Sequence, residues 1–113
     1  MPRVSIRLVL DEKAAIGPGK IALLRGIEGV GSIAQAAKAL RMSYARAWSL
    51  IDELNRLFTD KLVETETGGR KGGGAQLTDL GRTVLALYDE INTDINGRHA
   101  GALAKLPRKP NGT

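Results

Sequence analysis

The chain has 113 residues, enough for one hydrophobic core and too few for two. It holds no cysteine, which excludes disulfides and thiolate metal sites. The short apolar run near its start gives way to charges too soon for a signal peptide or a membrane span, so a soluble cytoplasmic protein is expected. The formal charge of +5 is unevenly placed: residues 98–113 carry Arg98, Lys105, Arg108 and Lys109 with no acid, leaving 13 basic against 12 acidic residues elsewhere.

Residues 3–10, RVSIRLVL, alternate Val4, Ile6, Leu8 and Leu10 with Arg3, Ser5, Arg7 and Val9. That period of two predicts a half-buried strand. GPGK then opens a helix with Pro18 in its tolerated first turn, an apolar face of Ile21, Leu24 and Ile27 flanked by Leu23 and Val30, and Gly29 and Gly31 to close it. Ser32 and Gln35 have the spacing of a capping box, each side chain reaching the other's free amide, and Ile33, Ala36, Ala37 and Leu40 form the stripe that follows.

After a short turn, Ser43 caps a third helix expected over Tyr44–Phe58. At about 100° per residue, Ala47, Ile51, Leu54 and Phe58 share one sector, while Ala45, Arg46, Ser49, Asp52, Glu53 and Arg56 fill the other. The first half of that outward face is small and basic, and the second half carries the acids. LVETET alternates as a strand, GGRKGGG reads as a glycine-rich tip, and AQL returns, making a hairpin. Thr78 caps a last helix expected to end near Asn96, with Leu80, Val84, Leu87, Tyr88 and Ile91 apolar. The domain is thus expected over residues 1–97, with 98–113 a basic, disordered tail.

The fold class expected is mainly α with a small β-hairpin: a winged helix-turn-helix built from an N-terminal strand, four helices and a wing. Between Gly29 and Ile51 there is no acid, against Lys38, Arg41 and Arg46; between Thr67 and Thr78 there is none, against Arg70 and Lys71. A basic stripe on a nearly neutral body is the pattern of a nucleic-acid face, and double-stranded DNA is the partner expected. The segments GSIAQAAKAL, MSYARAW and GGRKGGGAQLT, in this order and spacing, resemble the N-terminal DNA-binding domain of the molybdate-responsive, ModE-type transcriptional regulators. LTDLGR is similar to the helix after the wing in LysR-type regulators. The resemblance implies a sequence-specific DNA-binding regulator. Full-length members carry molybdate-binding modules that this chain leaves no room for, so a single-domain form is expected and no molybdate-binding residue is carried over.

The residues expected on DNA are Ser32, Gln35, Ser43, Tyr44, Ala45, Arg46, Ser49, Arg70 and Lys71. Arg46 stands out because a cation in a helix's first turn opposes the macrodipole at about 0.3–1 kcal/mol, and DNA supplies the missing negative charge. Arg70 and Lys71 sit between glycines that let a loop approach the phosphate backbone. A symmetric homodimer on a palindromic site is expected, with Leu87, Tyr88, Ile91 and Ile95 of the last helix as its surface and the first strand as a second candidate.

An enzyme is set aside. GPGKIA is followed by two helices rather than a parallel strand and an acidic ribose ligand, and GGRKGGG lacks a Gly-Lys-Ser/Thr ending. The single His99 falls in the tail, so no catalytic or metal constellation and no cofactor are expected. The alternative is a winged helix used only for protein contact, which an acidic third helix without a basic wing would have suggested.

Overall fold

The structure, a computed structural model, describes residues 1–66 and 74–110. Its elements run β1 (Leu8–Asp11), β2 (Ala14–Ile16), α1 (Pro18–Val30), α2 (Ile33–Ala39), α3 (Tyr44–Leu54), β3 (Val63–Thr65), β4 (Ala75–Leu77) and α4 (Asp79–Ala104). This is the winged helix-turn-helix order. Residues 68–73 of the GGRKGGG tip, with Arg70 and Lys71, lie outside the described residues.

The helix starts follow local chemistry. Pro18 stands in the first turn of α1. Ser43 Oγ accepts the Arg46 amide at 3.0 Å, and Thr78 Oγ1 accepts the Gly81 amide at 3.0 Å, so α3 and α4 begin on side-chain caps. Ser32 Oγ accepts the Gln35 amide at 3.2 Å, but the reciprocal bond of the expected capping box does not form, and the exposed Gln35 side chain stays in solvent. Gly31 ends α1 at φ 66°, a left-handed conformation that favours glycine, and its amide bonds Ile27 O at 2.8 Å.

Four helices and the hairpin share one core. Ile16, Leu23, Leu24, Ile27, Ile51, Leu54, Leu62 and Val63 are its largest fully buried side chains, and each full burial is worth about 1.5–3 kcal/mol relative to exposure. Ala36, Ala37 and Ala47 are buried where α2 meets its neighbours, their small side chains allowing close approach. Val30, expected on the core face of α1, is instead 54% exposed at the helix end. At the start of α4 the packing is tighter still: a Cβ on Gly81 would stand 2.2 Å from the Leu62 carbonyl oxygen.

Three expectations need correction. The N-terminal strand is shorter and has a partner: β1 pairs with β2, antiparallel, through Leu8↔Ile16 and Val9↔Ala15. Residues 3–7 make no ladder, yet Val4, Ile6 and Leu8 turn inward as the alternation predicted. Their polar groups bond to α4: Asn96 accepts the Val4 amide at 2.7 Å and donates to the Val4 carbonyl at 2.9 Å, and Tyr88 donates its hydroxyl to Ile6 O at 2.9 Å. Second, α3 ends at Leu54, not Phe58. Asn55 caps it and turns its side chain onto β3, accepting the Leu62 and Val63 amides at 2.9 and 3.0 Å and donating to Val63 O at 3.0 Å.

Third, α4 continues past Asn96 to Ala104, so residues 98–104 of the expected tail are helical. An Arg98–Asp94 pair at 3.1 Å, one turn apart, and several alanines sustain it despite Gly97 and Gly101. Only Gly81, Val84, Leu85 and Tyr88, all in its first half, are buried. At 26 residues the helix runs about 39 Å, and it stretches the molecule to 53 × 31 × 24 Å.

Candidate nucleic-acid interface

The helix-turn-helix is α2, a turn over residues 40–43, and α3. On α3 the buried side is Ala47, Leu50, Ile51 and Leu54. Tyr44, Ala45, Arg46 and Ser49 are exposed together with Ser43, so five of the expected residues lie side by side at one helix end. Tyr44 is 46% exposed and packs edge-on against Trp48, ring centroids 6.1 Å apart and planes at 84°. Trp48 is half-buried against the core, so the pair ties an exposed ring to a structural one. Ser32 and Gln35 begin α2, with Ser32 half-buried and its hydroxyl engaged as a cap.

Charge is arranged so that this end is unneutralised. Lys20 faces Glu53 at 3.7 Å, Arg25 pairs with Asp89, Arg82 with Asp79, and Arg98 with Asp94. Among the described residues Lys38, Arg41 and Arg46 have no such partner. The paired cations belong to α1 and α4. Lys38, Arg41 and Arg46 belong to the helix-turn-helix; Arg3, Arg7, Lys13, Arg56 and Lys61 likewise form no ion pair among the described residues. Arg25 and Asp89 meet through two bonds of 2.9 and 2.6 Å. The hydrogen bond from Arg25 holds the Asp89 carboxyl below its usual value, and the same bond raises the Arg25 guanidinium above its own.

The wing springs from a fixed base. The Ala75 amide bonds Gly31 O at 3.0 Å, the Glu66 amide bonds Gly74 O at 2.9 Å, and β3 and β4 register as Val63↔Leu77 and Thr65↔Ala75. Gly31 immediately precedes the Ser32 cap, so the base of the wing and the start of α2 are neighbours. Asn55 fastens the other side of β3 to the end of α3. Both ends of the helix-turn-helix are therefore tied to the hairpin. An open cleft beside this base is lined by Gly31, Lys61, Glu64, Thr65, Glu66 and Gly74. Two carboxylates against one ammonium make it a poor seat for an oxyanion.

Sequence reasoning missed two contributors. Asn55 was placed within a continuing helix, because nothing local marks its bonds to residues seven and eight positions on. Tyr88, expected on the dimer surface, is only 5% exposed and holds Ile6 within the protomer, so it is not available there. Leu87 is exposed, and Ile91 and Ile95 are half-buried. No helix of the described residues is long and apolar enough to cross a membrane.

The sequence is similar to those of known proteins. Over 90 residues the chain is 42% identical to the transcriptional regulator ModE of Yersinia pestis, covering 80% of this chain and 34% of that protein. It is 44% identical over 86 residues to the DNA-binding transcriptional dual regulator ModE of Escherichia coli, covering 76% and 33%. With the molybdenum transport protein ModE of Azotobacter vinelandii it shares 41% over 101 residues, covering 89% and 36%. The chain thus spans about a third of the length of these relatives. Residues 20–82, from α1 through the wing into α4, match the bacterial regulatory helix-turn-helix proteins of the lysR family. By that match over more than half its length, the chain belongs to the lysR family of bacterial regulatory helix-turn-helix proteins.

Proposed function

We propose that the chain is a DNA-binding transcriptional regulator that reads a palindromic operator as a homodimer, with α3 in the major groove and the wing on flanking phosphates. The observation that carries this reading is Arg46: an exposed guanidinium in the first turn of α3, without an acid partner among the described residues, between the small exposed Ala45 and Ser49. Placed against the positive end of the macrodipole, it is suited to guanine O6 and N7 or to a phosphate. Ser43, Tyr44 and Ser49 supply hydroxyls around it, and Ser32 and Gln35 stand at the start of α2. Arg70 and Lys71 enter on their sequence alone, as cations on a glycine-rich tip. The names of the relatives connect them with transcription and with molybdenum, which directs the proposal to genes of molybdenum handling.

The test is selection of binding sites from random duplexes, followed by titration of Arg46→Ala on the selected site. The variant should bind about 1–3 kcal/mol more weakly and relax its preference at one position of each half-site. Equal affinity with equal preference would refute the role of α3, and a wild type that selects no sequence would favour a protein-contact module. The dimer is supported by Leu87, 47% exposed on a helix that outruns its own core. Light scattering of Leu87→Glu should show a folded monomer where the wild type is a dimer. A wild type that is monomeric both free and on DNA would remove the palindrome from the reading.

A further inference from the structure

Arg41 is the one non-glycine residue with positive φ among the described residues, at φ 58°. It follows the C-cap of α2, where the Met42 amide bonds Ala37 O at 3.0 Å and the Arg41 amide bonds Lys38 O at 3.1 Å. These two bonds are the closure that fixes a left-handed residue after a helix, a place that glycine normally fills and asparagine sometimes does. Arginine has neither the freedom of glycine nor a short side chain that bonds its own backbone. The backbone strain is therefore borne for something the side chain does.

The described residues offer no protein partner for it. Arg41 is exposed, and its guanidinium forms no ion pair or hydrogen bond among the described residues. A cation near the C-terminal end of α2 complements the helix dipole, but Lys38 in the last turn already supplies one without left-handed strain. Arg41 lies two residues before the Ser43 cap, beside the end of α3 that carries Arg46, in the acid-free stretch from Gly29 to Ile51. We infer that Arg41 is a phosphate anchor: its guanidinium grips the DNA backbone beside the groove that α3 enters, and so fixes how α3 is seated. This rests on the reading of α3 as the DNA-reading helix.

Arg41→Gly separates the two effects. The full chain carrying it should melt at a higher temperature, because the left-handed conformation is relieved. On random and selected duplexes alike, its salt dependence should be shallower by about 0.9 per protomer, equivalent to about fivefold weaker binding per protomer near ~0.15 M salt. Arg41→Lys, keeping charge and strain, should keep the slope. An Arg41→Gly protein that melts higher but binds with the wild-type slope would overturn the inference and leave a solvated arginine. A lower melting temperature would overturn it too, because the side chain would then be holding the fold. Loss confined to one base pair would make Arg41 a base reader instead. A wild type with no salt-dependent DNA binding would fail the parent reading, whereas an unchanged slope in the variant fails this one alone.

Discussion

Asn55 joins the end of α3 to the first strand of the wing, and its replacement by Ala should be felt in both. Three bonds of 2.9–3.0 Å disappear, and the Leu62 and Val63 amides they served belong to residues that are 0% and 1% exposed. A net hydrogen bond is worth about 1 kcal/mol, and a buried donor left without a partner costs about 1–3 kcal/mol. Asn55 itself is half-buried, so water reaches part of the gap, and a loss of about 3 kcal/mol is expected. With an unfolding entropy of about 2.1 cal/mol/K per residue, that corresponds to a melting temperature lower by about 12 °C. Asn55→Asp keeps the acceptor for the two amides but sets a carboxylate against Val63 O, and should fall near or below the Ala variant. Chemical denaturation gives the free energy and calorimetry the temperature. A loss below about 1 kcal/mol for Asn55→Ala would mean the clamp is replaceable by solvent and does not seat the wing.

Two further outcomes follow from the packing around α4. Gly81→Ala adds a better helix former in an α-helix, worth about 1 kcal/mol, yet its Cβ would meet the Leu62 carbonyl at 2.2 Å. The overlap should dominate and lower stability by about 1–3 kcal/mol, and a variant that melts at or above the wild type would show that β3 yields easily. The Asp89 carboxyl is held below its usual value by Arg25. Its contribution is therefore complete above the unfolded value of about 4 and is lost as pH falls through the lowered folded value. Both side chains are substantially exposed, at 53% and 43%, so the amount is small, about 1 kcal/mol or less. Asp89→Asn should trail the wild type by that margin at neutral pH and converge with it in denaturation below about pH 4. A gap that persists there would place the effect in packing rather than charge.

What was legible in the sequence were features with local causes. Ser32, Ser43 and Thr78 announce helix starts because a hydroxyl reaches an amide three residues on, and Gly31 announces an end because the backbone there turns left-handed. The outward cluster of Ala45, Arg46 and Ser49 follows from helical spacing alone. Features decided by distant partners were not legible. Asn55 and Asn96 look like ordinary polar residues until the strand and the N-terminal segment they hold are in place. Tyr88 is expected on the dimer surface, although Ile6, 82 positions away, receives its hydroxyl. β2, three residues with two alanines, carries almost no strand signal, and its pairing comes from β1. Arg41 misleads in the opposite sense, because its residue type argues against the backbone it adopts.

The bonds from α4 to the N-terminal segment also order events in time. The helices α1, α2 and α3 are near neighbours in sequence, and they touch through short loops that close at little entropic cost. Val4 and Asn96 are 92 positions apart, so the first residues have nothing to dock on until α4 has formed. During synthesis the segment emerges before α4 and fastens only once α4 has formed. The same separation makes it a natural unit of local opening, since two side chains release it without disturbing the Ser43 cap or the core beneath α3. The start of α3 is thus insulated from local opening of the segment over residues 3–7.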